Sequence, residues 1–468
     1  MKKINLALTT ASIFVLFCVA VFIYQNQVSD GPSRETQSTK KSHLAKVLEG
    51  RNLELGNAKD QTTKVTDEPS ALFNDPAIKQ AWGLKKSDAA RAWSVTQGKK
   101  QTIVAVIDTG IDVNHEDLRN NLWTNPGETG TDSNGRSKES NGIDDDKNGF
   151  IDDVHGWNFV ANNNRLDDNH GHGTHIAGII GAEAGNQRGI SGISPQVSLM
   201  ALKYFDPKVP NTDNLKNTIA AVKYAIKMGA HIINYSGGGT DYSQEEHDAV
   251  ALAEAKGILF VAAAGNERSN SDQHHYYPAD YKLKNIISVT AIDPTTEVLS
   301  SSNYGVDTVD IAAPGQNILS CLPHNLYGLM TGTSQATAFV SGAAALIMSH
   351  KEQYFKAIEI KNYILSSGDT STSLIAKTRT ARQLNLFKSL TILGGETVIS
   401  GAAPQKSNRT FGSDGKLKED LSIGADPNLK RSANVSQLMD VIKTLEPAAP
   451  KKKPVLRIGT DQPIEIER

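Results

Sequence analysis

The sequence has very little cysteine and almost no net charge. Only two cysteines occur among 468 residues, and one of them, Cys18, lies in an apolar N-terminal run. The rest of the chain therefore cannot contain a disulfide framework. The 49 basic and 51 acidic residues leave a formal net charge of −2, which argues against nucleic acid or an acidic polymer as a partner. What is present is an ordinary soluble composition, 38% hydrophobic and 21% charged, with enough chain to bury a large core.

The first 24 residues predict export. Lys2 and Lys3 precede an apolar run over residues 4–24, which is typical of the charged and apolar regions of a signal peptide. The run is also long enough to span a bilayer, and no clean small-residue cleavage site follows it. A cleaved signal peptide and an uncleaved membrane anchor both remain open, and bulky Phe17 disfavours a lipid anchor at Cys18. Either way the remainder is expected outside the cytoplasm, secreted or anchored to the membrane.

Composition divides the remaining chain into three parts. Residues 25–72 are polar without a sustained apolar period, which predicts a linker or a short propeptide. Residues 73–393 alternate apolar bursts with helical patterns and are expected to form the folded domain. Residues 394–468 carry scattered polar residues and the run PAAPKKKP, which predicts a low-complexity, flexible tail.

The folded part reads as an α/β domain. Continuous apolar runs, typical of strands buried on both faces of a parallel sheet, occupy residues 102–108, 197–203, 231–236, 258–264 and 285–290. Helical patterns occupy residues 214–229, 243–257, 334–350 and 355–366. Strands that alternate with helices predict a mostly parallel central sheet with helices on both faces.

Three reactive side chains fall at predicted strand ends or helix starts. Asp108 ends the run TIVAVID, His172 lies in NHGHGTHIAG before an apolar helix, and Ser334 opens the helix after GT. Ligands and catalytic groups gather at the carboxyl ends of such strands. A serine hydroxyl needs a base to become nucleophilic, and the base needs an orienting group. By itself Ser334 would be read as a helix N-cap, but together the three side chains can form a catalytic triad.

A fourth residue fits the same chemistry. Asn266 follows the buried strand ILFVAAA, where its amide could donate, with the backbone N–H of Ser334, to a developing oxyanion. The segments VAVIDTGID, HGTHIAG, AAAGN and GTSQATA resemble, in this order, the four signature segments of the subtilisin-like serine proteases, the subtilases. The resemblance extends from about residue 74 to about residue 390.

The resemblance implies a serine endopeptidase that acts on polypeptides, with a subtilisin-like three-layer domain, and the N-terminal pattern implies that it is exported. Asp108 would orient the base, His172 would act as general base and acid, Ser334 would attack the carbonyl, and Asn266 would help to form the oxyanion hole.

The resemblance also implies substrate-binding residues. Ser236, Gly237 and Gly238 fall where the family pairs an extended substrate with a strand edge. Ala264 and Gly265, with Ala263 and the YPA at 277–279, resemble the walls of the first side-chain pocket, for which we expect a sizeable apolar side chain.

Two positions depart from the family pattern. Gln335 stands where members usually have Met, and Ala338 stands where they usually have Pro. Alanine is a good helix former, so we expect Ala338 to soften the helix entry without removing activity. Gln335 lacks an oxidisable sulfur, which predicts tolerance to mild peroxide.

The segment NGIDDDKNGFIDD predicts a structural calcium site. Asp144, Asp146 and Asn148 alternate before Gly149, as do the first oxygen ligands of a calcium loop. Position 12 of such a loop would be His155 rather than glutamate, so the site is not a full EF-hand. Asp152 or Asp153 would have to complete it, and we expect Asp153. The alternative is an acidic surface loop.

Other functions are open at this point. A catalytically silent envelope binding or scaffold protein on the same fold would be marked by a missing triad residue, and none is missing. A metallohydrolase could use His170, His172 and His175, since the last two can share a helix face, but no matching carboxylate motif follows. The single DTG does not support an aspartic protease, which needs a second acid.

Overall fold

The computed structural model describes residues 67–350, 356–391, 410–411 and 417–418. The predicted signal peptide or anchor at residues 1–24 lies outside the described residues, as do most of the predicted linker and nearly all of the predicted tail. In the described part of the chain, no helix has the length and apolar character that a membrane span requires.

A nine-stranded sheet organises the domain, in the order β10-β11-β7-β6-β5-β4-β1-β3-β2. Its strands are β1 (Gly98–Asp108), β2 (Gly156–Asn158), β3 (Gln196–Lys203), β4 (Ile232–Tyr235), β5 (Leu259–Ala263), β6 (Ile286–Ile292), β7 (Ile311–Pro314), β10 (Asp369–Thr370) and β11 (Arg382–Gln383). Every pairing is parallel except that of β10 with β11. Separate two-stranded sheets are formed by β8 (Ile318–Leu322) with β9 (Leu326–Met330), and by β12 (Thr410–Phe411) with β13 (Leu417–Lys418).

Eight α-helices accompany these strands in the described residues. They are α1 (Trp82–Lys86), α2 (Ala89–Val95), α3 (His172–Gly181), α4 (Asn214–Lys227), α5 (Gln244–Ala255), α6 (Thr333–His350), α7 (Ala357–Ser367) and α8 (Leu386–Thr391). Short 3₁₀ turns span Pro69–Ala71, Ile78–Gln80, Arg119–Asn121, Pro126–Glu128, Lys138–Ser140 and Thr372–Leu374.

The two faces of the sheet bury separate apolar cores. Along β1, Val104 and Val106 belong to one core and Ala105 and Ile107 to the other, because successive side chains of a strand point to opposite faces. The first core packs α3, α6 and α7 against the sheet, and the second packs α4 and α5. This confirms the three-layer α/β fold that the alternating strand and helix patterns predict.

The helix starts on the second face follow local capping chemistry. Ser243 accepts a hydrogen bond from the Glu246 N–H at 3.2 Å, and the Asp213 side chain caps α4 through the Lys216 N–H at 3.0 Å. The Glu246 carboxylate accepts from the Tyr281 hydroxyl at 2.8 Å. The Ser243 N–H donates to the same hydroxyl at 3.3 Å, so a tertiary contact with Tyr281 replaces the reciprocal half of a capping box.

The strand order reverses at β1, which pairs with β3 on one side and with β4 on the other. The crevice beyond the carboxyl end of such a strand is where open parallel sheets bind ligands. Asp108 is the last residue of β1 and lies at this position.

Candidate active site and acidic cluster

Buried Asp108 and half-buried His172 form a directional hydrogen-bonded pair. The His172 Nδ1 donates to Asp108 Oδ1 at 2.7 Å, and the Thr109 N–H donates to the same oxygen at 2.8 Å. Burial lowers the pKa of His172, but the charge of Asp108 and this hydrogen bond outweigh burial, so the pKa is raised above its ordinary value. Because Nδ1 carries the proton, the neutral ring presents Nε2 as an acceptor.

A close approach of backbone to backbone positions this pair. His172 is the first residue of α3, and a Cβ on the next residue, Gly173, would overlap the carbonyl oxygen of Gly110 and lie 3.1 Å from the Cβ of Asp108. The Gly173 N–H donates to the Thr109 hydroxyl at 2.9 Å. The missing side chain thus lets α3 start directly against the end of β1.

Ser334 is the second residue of α6, a helix whose residues from Thr333 to Ile347 are buried. Its N–H has no acceptor within the helix because the first four N–H groups of a helix have none. Its hydroxyl donates to the carbonyl oxygen of Ser236 at 3.2 Å. Among the described residues no hydrogen bond joins Ser334 to His172, and the serine hydroxyl points instead at the Ser236 carbonyl.

The orientation of the Asn266 amide is fixed by its neighbour. The Thr333 N–H donates to Asn266 Oδ1 at 3.1 Å, and the Thr333 hydroxyl donates to it at 3.2 Å. A backbone N–H can only donate, so the contacted atom must be the oxygen. The Nδ2 group is therefore left as a donor beside the start of α6.

The predicted substrate-binding residues lie on two chain segments that leave adjacent strands. Ser236, Gly237 and Gly238 follow β4, and Ala264 and Gly265 follow β5. The second segment is held by Asn303, whose Nδ2 donates to the Ala264 carbonyl at 2.9 Å and whose N–H donates to the Gly265 carbonyl at 2.9 Å.

Among the described residues, the histidines next to His172 do not belong to a cluster of side chains close enough to share a metal ion. The Nε2 of His175 donates to the carbonyl oxygens of Ile318, at 2.9 Å, and Gly328, at 3.2 Å. Burial lowers the pKa of His175 to about 3, so its ring stays neutral and helps to fix α3 to the β8–β9 hairpin. The pKa of His170 is also lowered, by burial and then by His172.

An acidic cluster outside the active site joins three carboxylates. Glu128, Asp146 and Asp153 each place an oxygen within 4.8 Å of the others, and Glu128 and Asp153 are fully buried. The Oε2 of Glu128 has no hydrogen-bond partner. Burial, followed by neighbouring carboxylate charge, raises the pKa values of Glu128 and Asp153. A buried, unpartnered carboxylate oxygen facing two further carboxylates fits a hard cation such as Ca²⁺.

The ligands expected from the sequence separate into two groups. Asp146 and Asp153 belong to the cluster, whereas Asp144 accepts from the N–H groups of Asn148 and Gly149 at 2.9 and 2.7 Å. Asn148 directs its Nδ2 at Asp146 and Asp153, at 3.1 and 2.9 Å, and its Oδ1 accepts from the backbone. Asp144 and Asn148 therefore stabilise the conformation of the loop rather than belong to the cluster. Sequence reasoning missed Glu128 because it lies on a separate turn, in NPGE, with no spacing signal toward the loop.

A parallel α/β sheet with an aspartate–histidine pair at the end of β1, and a serine at a helix start bonded to the segment after β4, is typical of a serine hydrolase. The chain belongs to the subtilase family, whose profile matches residues 99–412.

Individual proteins that resemble the chain are also serine proteases of this family or proteases of similar structure. The chain is 32% identical to the thermophilic serine proteinase of Bacillus sp. (strain AK1), covering 68% of this chain and 72% of the relative. It is 34% identical to thermitase of Thermoactinomyces vulgaris, covering 59% and 85%. The structure of the prenylagaramide maturation protease PagA superposes with a TM-score of 0.51 at 25% identity, covering 66% of this chain and 99% of that one. The protein is a subtilisin-like serine endopeptidase.

Proposed function

We propose that the protein cleaves peptide bonds with Asp108, His172 and Ser334 as its triad and Asn266 in the oxyanion hole. The observation that carries this proposal is the 2.7 Å hydrogen bond between His172 and buried Asp108 at the carboxyl edge of the sheet. It holds the imidazole in the tautomer that can accept a proton at Nε2.

In this cycle the Ser334 hydroxyl would have to leave the Ser236 carbonyl. Rotation of its side chain away from the Ser236 carbonyl would bring the hydroxyl toward His172 Nε2, and such contacts often tighten only when substrate binds. The Ser334 N–H and Asn266 Nδ2 would then face the oxyanion. Removing one oxyanion donor lowers kcat by about 10²–10³-fold, a magnitude established in subtilisin itself.

Covalent labelling tests the triad. An organophosphorus reagent should inactivate the purified protein and modify Ser334, and both effects should be lost in Ser334→Ala. Proteolysis that persists undiminished in Ser334→Ala would contradict the proposal. Stable folding without labelling or turnover in the wild-type protein would instead favour the binding or scaffold function.

Export to the extracytoplasmic side is part of the proposal and rests on the N-terminal charge and apolar pattern. Mass spectrometry of the mature protein, combined with cell fractionation, would locate both chain ends and distinguish a cleaved signal from a membrane anchor. Recovery of the intact chain from the cytoplasm would contradict export.

A second part of the proposal is a structural Ca²⁺ held by Glu128, Asp146 and Asp153. The unpartnered Oε2 of buried Glu128 supports it, because a buried charged group without a partner is costly. The ion would link the turn that contains Glu128 to the loop at 141–153 and would supply charge balance there. Asn125 and Asn148 would hold the carboxylates in place through their amide donors.

A further inference from the structure

Substrate access to Ser334 is limited by two backbone segments. One follows β4, and its Ser236 carbonyl accepts from the Ser334 hydroxyl at 3.2 Å. The other follows β5 and ends in Asn266, whose Oδ1 accepts from the Thr333 N–H at 3.1 Å. A carbonyl attacked by Ser334 therefore lies between the two segments. The side chain of the residue that supplies this carbonyl must enter the crevice between them.

The ring of Tyr276 lies in this crevice. A Cβ built on Gly238, in the first segment, would lie 2.5 Å from Tyr276 Cε1. A Cβ built on Gly265, in the second segment, would lie 3.0 Å from Tyr276 Cδ1. One edge of the ring thus touches both walls, and Tyr276 as a whole is only 9% exposed. Gly238 and Gly265 have no side chains, and the Tyr276 ring fills the space that this leaves in the crevice.

Backbone hydrogen bonds fix the segment that carries this ring. The Tyr276 N–H donates to Asp280 Oδ2 at 2.7 Å, and the Asp280 N–H donates to the Tyr276 carbonyl at 3.0 Å. Tyr277 exchanges two hydrogen bonds with Gly239, at 2.7 and 2.9 Å, which tie the segment to the β4 wall. These hydrogen bonds hold the backbone of Tyr276 beside the segment that follows β4, and from there the ring packs against both glycines.

We infer that Tyr276 restricts the crevice to short side chains, so that the protein cleaves after alanine, serine or glycine in preference to large apolar residues. This inference rests on the proposed peptidase function and departs from the sequence expectation of a sizeable apolar side chain. The reason is that Tyr276 occupies space that the Ala and Gly walls by themselves would leave open.

The test uses two peptide p-nitroanilides that differ only in the residue before the scissile bond, Ala or Phe. Wild-type protein should show a kcat/KM at least tenfold higher for the Ala peptide, within the range that one pocket contact discriminates. Tyr276→Ala should shift the ratio of kcat/KM for the Phe peptide to kcat/KM for the Ala peptide at least tenfold toward Phe. Tyr276→Phe, which keeps the ring, should retain the wild-type ratio.

Other outcomes distinguish failure of the inference about Tyr276 from failure of the proposed peptidase function. Ser334-dependent cleavage of both peptides with equal kcat/KM, or an unchanged ratio in Tyr276→Ala, would overturn the inference and leave the peptidase function intact. Absence of any Ser334-dependent cleavage would overturn the proposed function itself. If Tyr276→Ala does not fold, the wild-type protein can be tested by mapping its cleavage sites in a denatured protein substrate. Small residues should precede most of the cleaved bonds. A majority of large apolar residues at that position would refute the inference.

Discussion

Replacement of Glu128 by glutamine should remove the calcium-dependent stability of the acidic cluster while leaving the surrounding loop folded. Glu128 and Asp153 are fully buried, with oxygens within 4.8 Å of each other. At an effective dielectric constant of about 20, two such charges repel by about 3.5 kcal/mol. Asp146 is exposed, so water screens its share of the repulsion. A bound divalent cation would replace this repulsion with attraction and stabilise only the folded state.

The expected stabilisation is large enough to measure. At a free calcium concentration about 1,000 times Kd, binding adds about 4 kcal/mol to the free energy of unfolding. For a domain of this size the midpoint temperature should rise by about 6 °C over that in chelator. Glu128→Gln should lose most of this rise. In chelator the variant should be at least as stable as the wild type, because its amide can donate to the facing carboxylates.

Asp144→Asn is the matched control. Asp144 is bonded to loop N–H groups rather than to the cluster, so this variant should be less stable in both conditions but keep the calcium-dependent rise. Scanning calorimetry of the Ser334→Ala background, in calcium and in chelator, avoids self-digestion. Coincident wild-type midpoints in the two conditions would refute the site. A full calcium response in Glu128→Gln would refute the ligand assignment.

Three further predictions concern the active site. Gly173→Ala should lower kcat/KM by about 100-fold or more, while circular dichroism shows that the fold is retained. The added Cβ would overlap the Gly110 carbonyl and displace His172 relative to Asp108. Unchanged kinetics would contradict this. Because His172 must be neutral to accept a proton and Asp108 contributes to raising its pKa, kcat/KM should fall on acidification with an apparent pKa above that of an ordinary histidine; a limb at or below that value would contradict the assignment. The wild-type protein, which has Gln335 next to Ser334, should remain active in mild peroxide, whereas the Gln335→Met variant should be inactivated. Rapid inactivation of the wild-type protein by modification of this segment would contradict the prediction.

The strands and the reaction class could be predicted because their signals are local. The run that contains Asp108 is apolar on both faces, and the observed β1 ends at the predicted residue. The helix that contains Ser334 begins at Thr333, within one residue of its predicted start. The short strands β10 and β11 were not predicted, because they are set by their partners in the sheet rather than by their own two-residue sequences.

The sequence by itself determined the α/β class, the subtilase resemblance and the order of the candidate catalytic residues, because each depends on a pattern within a few neighbouring residues. Only the tertiary structure decided which groups share a site. Glu128 meets Asp146 and Asp153 across a turn and a loop, and Tyr276 enters a crevice between segments that follow two other strands. Such meetings depend on the sheet order and on side-chain direction, which no spacing along the chain specifies.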